Sequence, residues 1–220
     1  MLEVDSLLSL GLYHIDLWEL ATAADLFQQV IDLAHNTKHH SWSEKAALGL
    51  ALVNSYLNSN SFDSIVTRLY RLIVNLEDKT YNTGRFAYFM QILGQIFFNH
   101  QQVEPARIIW QRAIAFSQSS HYTQIEAKSL IGIGNIERHV NNLEPANLYH
   151  QQAVDLLNKI GAKCDLAEAY FQWGITLQAC NKIAESNNCF ISAIELFEQI
   201  QAPKQVERVK SSIIYHSSFN

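Results

Sequence analysis

Three glycines constrain this chain more than any other feature. Gly94, Gly134 and Gly174 are evenly spaced, and each carries the same company. A bulky residue precedes each one: Leu93, Ile133 and Trp173. Twelve positions later comes a small residue, Ala106, Ala146 and Ser186. Sixteen positions later comes a ring, Trp110, His150 and Phe190, and at nineteen an alanine, Ala113, Ala153 and Ala193. Leu10-Gly11 starts the same series with Ala23, Phe27 and Val30. A weaker copy lies between, with Leu52-Val53 as anchor followed by Ile65, Leu69 and Leu72. A period this regular describes a stack of repeated units and not one large core.

Two antiparallel helices explain the spacing. The glycine lets a second backbone approach, and the small residue sits on the partner helix at that approach. The ring and the later alanine continue the partner's buried face, since offsets of three and four share a face. Pro105 and Pro145 fall in the first turn of a second helix, where a missing N–H costs nothing, and the adjacent Glu104 and Glu144 suit the helix dipole. Pro203 opens a last helix. With only 8 Gly and 3 Pro, a sandwich or barrel lacks its turn residues. A hydrophobic content of 48% excludes disorder through low hydrophobicity. The expected pairs are 4–18 with 21–36, 42–58 with 61–77, 83–100 with 103–118, 122–140 with 143–160, and 164–180 with 183–200. Asn58-Ser-Asn-Ser61 and Asn181 mark turns within pairs, and Gly161 ends a helix. A single helix at 203–216 caps the open end with Val206, Val209, Ile213 and Ile214 turned inward.

The run Leu93-Gly94…Phe97…Ala106…Trp110…Ala113, with the Gly134 and Gly174 copies, resembles the tetratricopeptide repeat. That family's usual unit is about 34 residues. The longer unit here, about 40 residues, looks like the longer-helix branch found in kinesin light chains, spindle-orientation adaptors and many bacterial regulators. The stretch Ile194–Glu207 resembles the ends of cyanobacterial repeat proteins. The resemblance implies an all-α fold: a right-handed α-solenoid of five antiparallel helix pairs plus a capping helix, forming one domain over 1–220. It also implies a concave groove walled by the first helix of each pair.

By that resemblance, the positions one and five after each anchor look into the groove. They are Asn54 and Asn58, Gln95 and Asn99, then Asn135 and His139. Repeat one contributes Leu12 and Asp16, and repeat five Ile175 and Ala179, with Gln178 beside them. Amides or an imidazole fill all six middle positions. Each carboxamide offers a donor and an acceptor, so a row of them can hold the main chain of an extended peptide. Phe98 and Phe171 are candidate anchoring pockets, and Arg138 a candidate partner for an acidic group. Receptors for chaperone tails in this family clamp a terminal carboxylate with several Lys/Arg and Asn. Here only Asn54, Lys128, Asn135 and Arg138 approach that pattern, while Leu50, Gln91 and Ile131 depart from it. The expectation is against such a receptor.

Other signals are weak. The net charge of −5, with no basic cluster, argues against nucleic acid as partner. The acidic start Met1–Ser6 is unlike a secretory signal, and no apolar run reaches the length of a membrane span. Three unpaired-looking cysteines, Cys164, Cys180 and Cys189, suit a reducing, cytoplasmic setting. His35 and His39 have metal-pair spacing, but they and His40 read as a polar inter-repeat loop. His150 reads as a packed core histidine. No dinucleotide fingerprint, P-loop, nucleophile elbow or zincin motif is present, so neither catalysis nor a cofactor is expected. The expected function is a non-catalytic interaction scaffold for a protein or peptide. The alternative is a sensor or regulatory module taking a signal peptide or small effector. Self-association through the apolar first helix, Leu7, Leu8, Leu10, Leu12 and Leu17, is a further possibility.

Overall fold

The structure is a computed structural model of the chain, and it describes residues 2–37, 40–57, 64–75 and 84–217. Among the described residues there are eleven helices and no strand. In chain order they are α1 (Leu2–Asp16), α2 (Leu20–Thr37), α3 (His40–Tyr56), α4 (Ser64–Asn75), α5 (Gly84–Asn99) and α6 (Val103–Ser120). Then follow α7 (Thr123–His139), α8 (Leu143–Ile160), α9 (Lys163–Ala179), α10 (Ile183–Gln199) and α11 (Pro203–Ser217). The chain falls into two compact units, Met1–Phe116 and Ser117–Asn220. In the first, α1 packs on α2, α2 on α3, and α3 on α4 and α5. In the second, α7, α8, α9, α10 and α11 pack in sequence, and α7 also meets α9.

The glycine rule holds at the level of atoms. A Cβ on Gly134 would stand 2.7 Å from His150 Cε1, and one on Gly174 would stand 2.6 Å from Phe190 Cε1. Gly94 meets Trp110 in the same way, and Gly11 meets Phe27. The backbones are close enough for Ser186 Oγ to donate to the Gly174 carbonyl at 2.8 Å. Ala106, Ala113, Ala146, Ala153 and Ala193 are fully buried along the same seams. Pro105 and Pro145 sit in the first turns of α6 and α8, and Pro203 begins α11.

Repeat two departs from the expected anchors. Val53, Ile65 and Leu69 are buried, but Leu72 is 46% exposed and Ile73 takes the inward place. The close-approach glycine of this repeat is Gly49, which meets Phe27 on the preceding repeat. Its ring partner therefore lies behind it in sequence, and a search for a ring ahead of the glycine misses it. The expected turn Asn58–Ser61 lies outside the described residues, as does His39. Of the inward stripe on α11, Val206 and Val209 are buried and Ile213 is partly buried, while the side chain of Ile214 lies outside the described set.

A second period governs the turns. Gln101, His121, Asn141, Gly161, Asn181 and Gln201 all have left-handed φ, between 58° and 68°, and they recur at one fixed interval, half that of the glycines. Each ends a helix in the same way. At Asn141 the backbone N–H reaches Arg138 O at 3.0 Å, and the next N–H, of Asn142, reaches Glu137 O at 2.8 Å. The Asn142 carbonyl then accepts from Ala146 N at 3.2 Å, so one residue closes α7 and starts α8. Lys182 and Ala202 repeat both bonds at their own turns. Gly161 and Asn181 occupy the positions that their residue types suggest. Gln101, His121 and Gln201 carry no such signature.

Candidate functional site

In the first unit the amide positions lie on α3 and α5 and bond to one another. Gln95 Nε2 donates to Asn99 Oδ1 at 2.7 Å, and Asn99 Nδ2 donates to Ser55 Oγ at 2.8 Å. Ser55 in turn donates to Leu52 O at 2.7 Å. This chain ties α5 to α3 and still leaves Gln95 Oε1 and an N–H on each amide. Asn54 is partly buried beside it, and Asn58 lies outside the described residues. Phe98 packs its ring on Trp110, with centroids 5.9 Å apart.

In the second unit the face of α7, α9 and α11 carries a charged network. Asn135 is only 7% exposed, and its Oδ1 has no hydrogen-bond partner among the described residues. Gln178 Oε1, on α9, is likewise buried and unpartnered. Arg138 is partly buried. Its Nη1 donates to Gln172 O and Thr176 Oγ1, both at 2.9 Å, and its Nη2 donates to Gln172 Oε1 at 2.8 Å. Burial lowers its pKa to about 10, against the opposing pull of Glu168. Gln172 Nε2 donates to Glu168 Oε1 at 2.9 Å, and Arg208 pairs with the other oxygen of Glu168. The Arg208 guanidinium also lies 4.7 Å over the Phe171 ring. Phe171 is 4% exposed and packs on Phe190, and His139 is exposed.

Lys128 and Asp165 form a separate pair at 2.8 Å, with Gln124 Nε2 on the second carboxylate oxygen at 2.5 Å. Burial alone would raise the Asp165 pKa. The Lys128 charge and the hydrogen bonds from Lys128 and Gln124 outweigh that and hold it below the usual carboxylate range. Lys128 is thus engaged within the fold.

Sequence reasoning missed Glu168, Gln172, Thr176 and Arg208. One signal was present: Lys128, Glu168 and Arg208 hold the same place in successive repeats and alternate in sign. Cys189 is buried, and burial pushes its thiol up to about 11, so it stays protonated. His150 is fully buried in the seam with Gly134, a packed core residue. Among the described residues no helix is long and apolar enough to cross a membrane.

No family model and no curated protein matches the chain. Solved structures do. PlcR of Bacillus thuringiensis, in complex with the peptide PapR7 and DNA, superposes with a TM-score of 0.77 at 10% identity, covering 94% of this chain and 73% of that one. Aspartyl phosphate phosphatase F of Bacillus subtilis superposes with a TM-score of 0.64 at 18% identity, covering 96% of this chain and 55% of that one. The chain thus spans about half the length of the phosphatase. At these identities the likeness establishes the fold alone: an all-helical repeat of antiparallel helix pairs.

Proposed function

We propose that the chain is a non-catalytic binding module whose first helices hold an extended peptide or partner segment. In the Met1–Phe116 unit the polar contacts come from Asn54, Gln95 and Asn99 on α3 and α5; in the Ser117–Asn220 unit, taken by itself, they come from Asn135 and Gln178 on α7 and α9. Asn58, Phe98, Arg138, His139 and Phe171 belong to the same set. The observation that carries this reading is the Asn135 carboxamide oxygen, buried without a donor. An unmade hydrogen bond of that kind costs roughly 1–3 kcal/mol in the free protein, and a ligand N–H recovers it. Within each unit the other amide or imidazole positions, at matching places in their repeats, add further main-chain contacts. Replacing Asn99 and Asn135 with Ala is expected to abolish capture of the partner from native lysate and to leave far-UV circular dichroism unchanged. Undiminished capture removes the assignment.

A second reading is a regulatory module that takes a signal peptide or small effector. It draws support from the fold shared with PlcR, which was solved with a bound peptide. A thermal-shift panel of short peptides and metabolites separates the two readings. Stabilisation by a compound of a few hundred daltons favours the sensor.

A further inference from the structure

Arg138 is a cation whose hydrogen bonds all go to neutral oxygens. Its acceptors are the Gln172 carbonyl, the Gln172 amide oxygen and the Thr176 hydroxyl. The carboxylate that attracts it, Glu168, is already held by Arg208 and by Gln172 Nε2. Arg138 therefore has no carboxylate among its hydrogen-bond acceptors. On the same helices Lys128, by contrast, bonds a carboxylate directly, that of Asp165. Removing a guanidinium from water is costly without its own counter-charge, and here burial outweighs the attraction of Glu168. Arg138 is left without a carboxylate of its own.

Its surroundings are also short of a donor. Asn135 lies three residues before Arg138 on α7, a spacing that puts both on one face, and its buried Oδ1 lacks a hydrogen. An anion alone does not satisfy that oxygen. A peptide does, because each residue that carries a carboxylate also carries a backbone N–H.

We propose that the α7–α9 face binds an acidic residue of a peptide ligand, with its carboxylate on Arg138 and a backbone N–H on Asn135 Oδ1, and that Glu168 competes with that carboxylate. The proposal rests on the peptide-binding reading and adds the ligand's charge to it. Glu168 also gives the face selectivity. It repels a ligand acid too weakly bound to draw Arg138 away, and its bonds to Arg208 and Gln172 link occupancy of Arg138 to the attachment of α11.

The test uses the full chain and three fluorescent hexapeptide pools, read by anisotropy at low salt. Two pools are capped at both ends and differ at one fixed position, Glu or Gln. The third carries the Gln and a free C-terminal carboxylate. The Glu pool is expected to bind roughly tenfold or more tightly than the capped Gln pool. Arg138→Gln is expected to erase that difference. Glu168→Gln is expected to widen it. Equal binding of the two capped pools overturns the acidic subsite while the peptide reading stands. Binding by none of the pools removes both. A preference that follows only the free C-terminus overturns the side-chain assignment. If Arg138→Gln fails to fold, Arg138→Lys decides: a reduced preference supports the proposal and an unchanged one overturns it.

Discussion

His150 occupies the seam position that Trp110 and Phe190 fill in the flanking repeats, yet neither of its ring nitrogens has a hydrogen-bond partner among the described residues. Each buried nitrogen left unbonded carries a desolvation cost that a hydrocarbon ring avoids. His150→Phe is therefore expected to raise stability by roughly 1–3 kcal/mol, measured as a shift in the urea midpoint. Burial, with the Arg138 charge second, holds the imidazole pKa well below 6.5. The unfolded chain takes up that proton near pH 6.5 and the folded chain resists it. Stability is thus complete above pH 6.5 and falls as the pH drops below it, and His150→Phe is expected to flatten that slope. The left-handed turn residues behave oppositely by type. Gly161→Ala forces a side chain into φ 68° and is expected to cost about 1 kcal/mol. Gln201→Gly relieves φ 58° and is expected to gain about 0.5 kcal/mol net of the added unfolded-state freedom. Thermal melts of the two variants check both signs.

Helix pairs meet through a glycine and a ring, so the contact is a fitted couple. Gly174→Ala drives a Cβ to 2.6 Å from Phe190 and is expected to cost roughly 1–3 kcal/mol. Phe190→Leu in the same chain is expected to restore part of that loss, and a double-mutant cycle measures the coupling. This couple is why the last three repeats are legible from residue spacing alone: both members lie in one repeat, at a fixed offset. Repeat two hides because Gly49 pairs with Phe27 of its predecessor. The candidate site is legible only in part for a similar reason. Helical period tells which residues share a face. It does not tell that Asn99 will bond Ser55 of another helix, or that Arg138 will be taken up by Gln172, because those contacts depend on the relative height of neighbouring helices. The same dependence across helices supports α4. Arg112, on α6, donates from Nη1 to Ile73 O at 2.9 Å and from Nη2 to Val74 O at 3.2 Å, placing a cation on the end of that 12-residue helix. Arg112→Met is expected to speed hydrogen exchange of the α4 amides by about tenfold and to leave those of α8 and α9 unchanged.

At the scale of the whole molecule, stability is a sum over neighbours. Within each unit a helix touches those adjacent to it in the stack, and no single core gathers them all. The 48% hydrophobic content is accordingly divided among many thin seams. The many amides go partly into ties between helices, such as Gln95 to Asn99 and Asn99 to Ser55. The metronome of turns at 101, 121, 141, 161, 181 and 201 has a genetic consequence. Any two of these turns one full repeat apart are interchangeable splice points, because the chain leaves each in the same backbone state and begins the same kind of helix. Excision of residues 122–161 joins His121 to Ala162 and leaves every remaining helix with a turn of the geometry it had before. Unequal recombination at such points lengthens or shortens the array without creating a novel junction, so its length can change by inheritance in whole repeats.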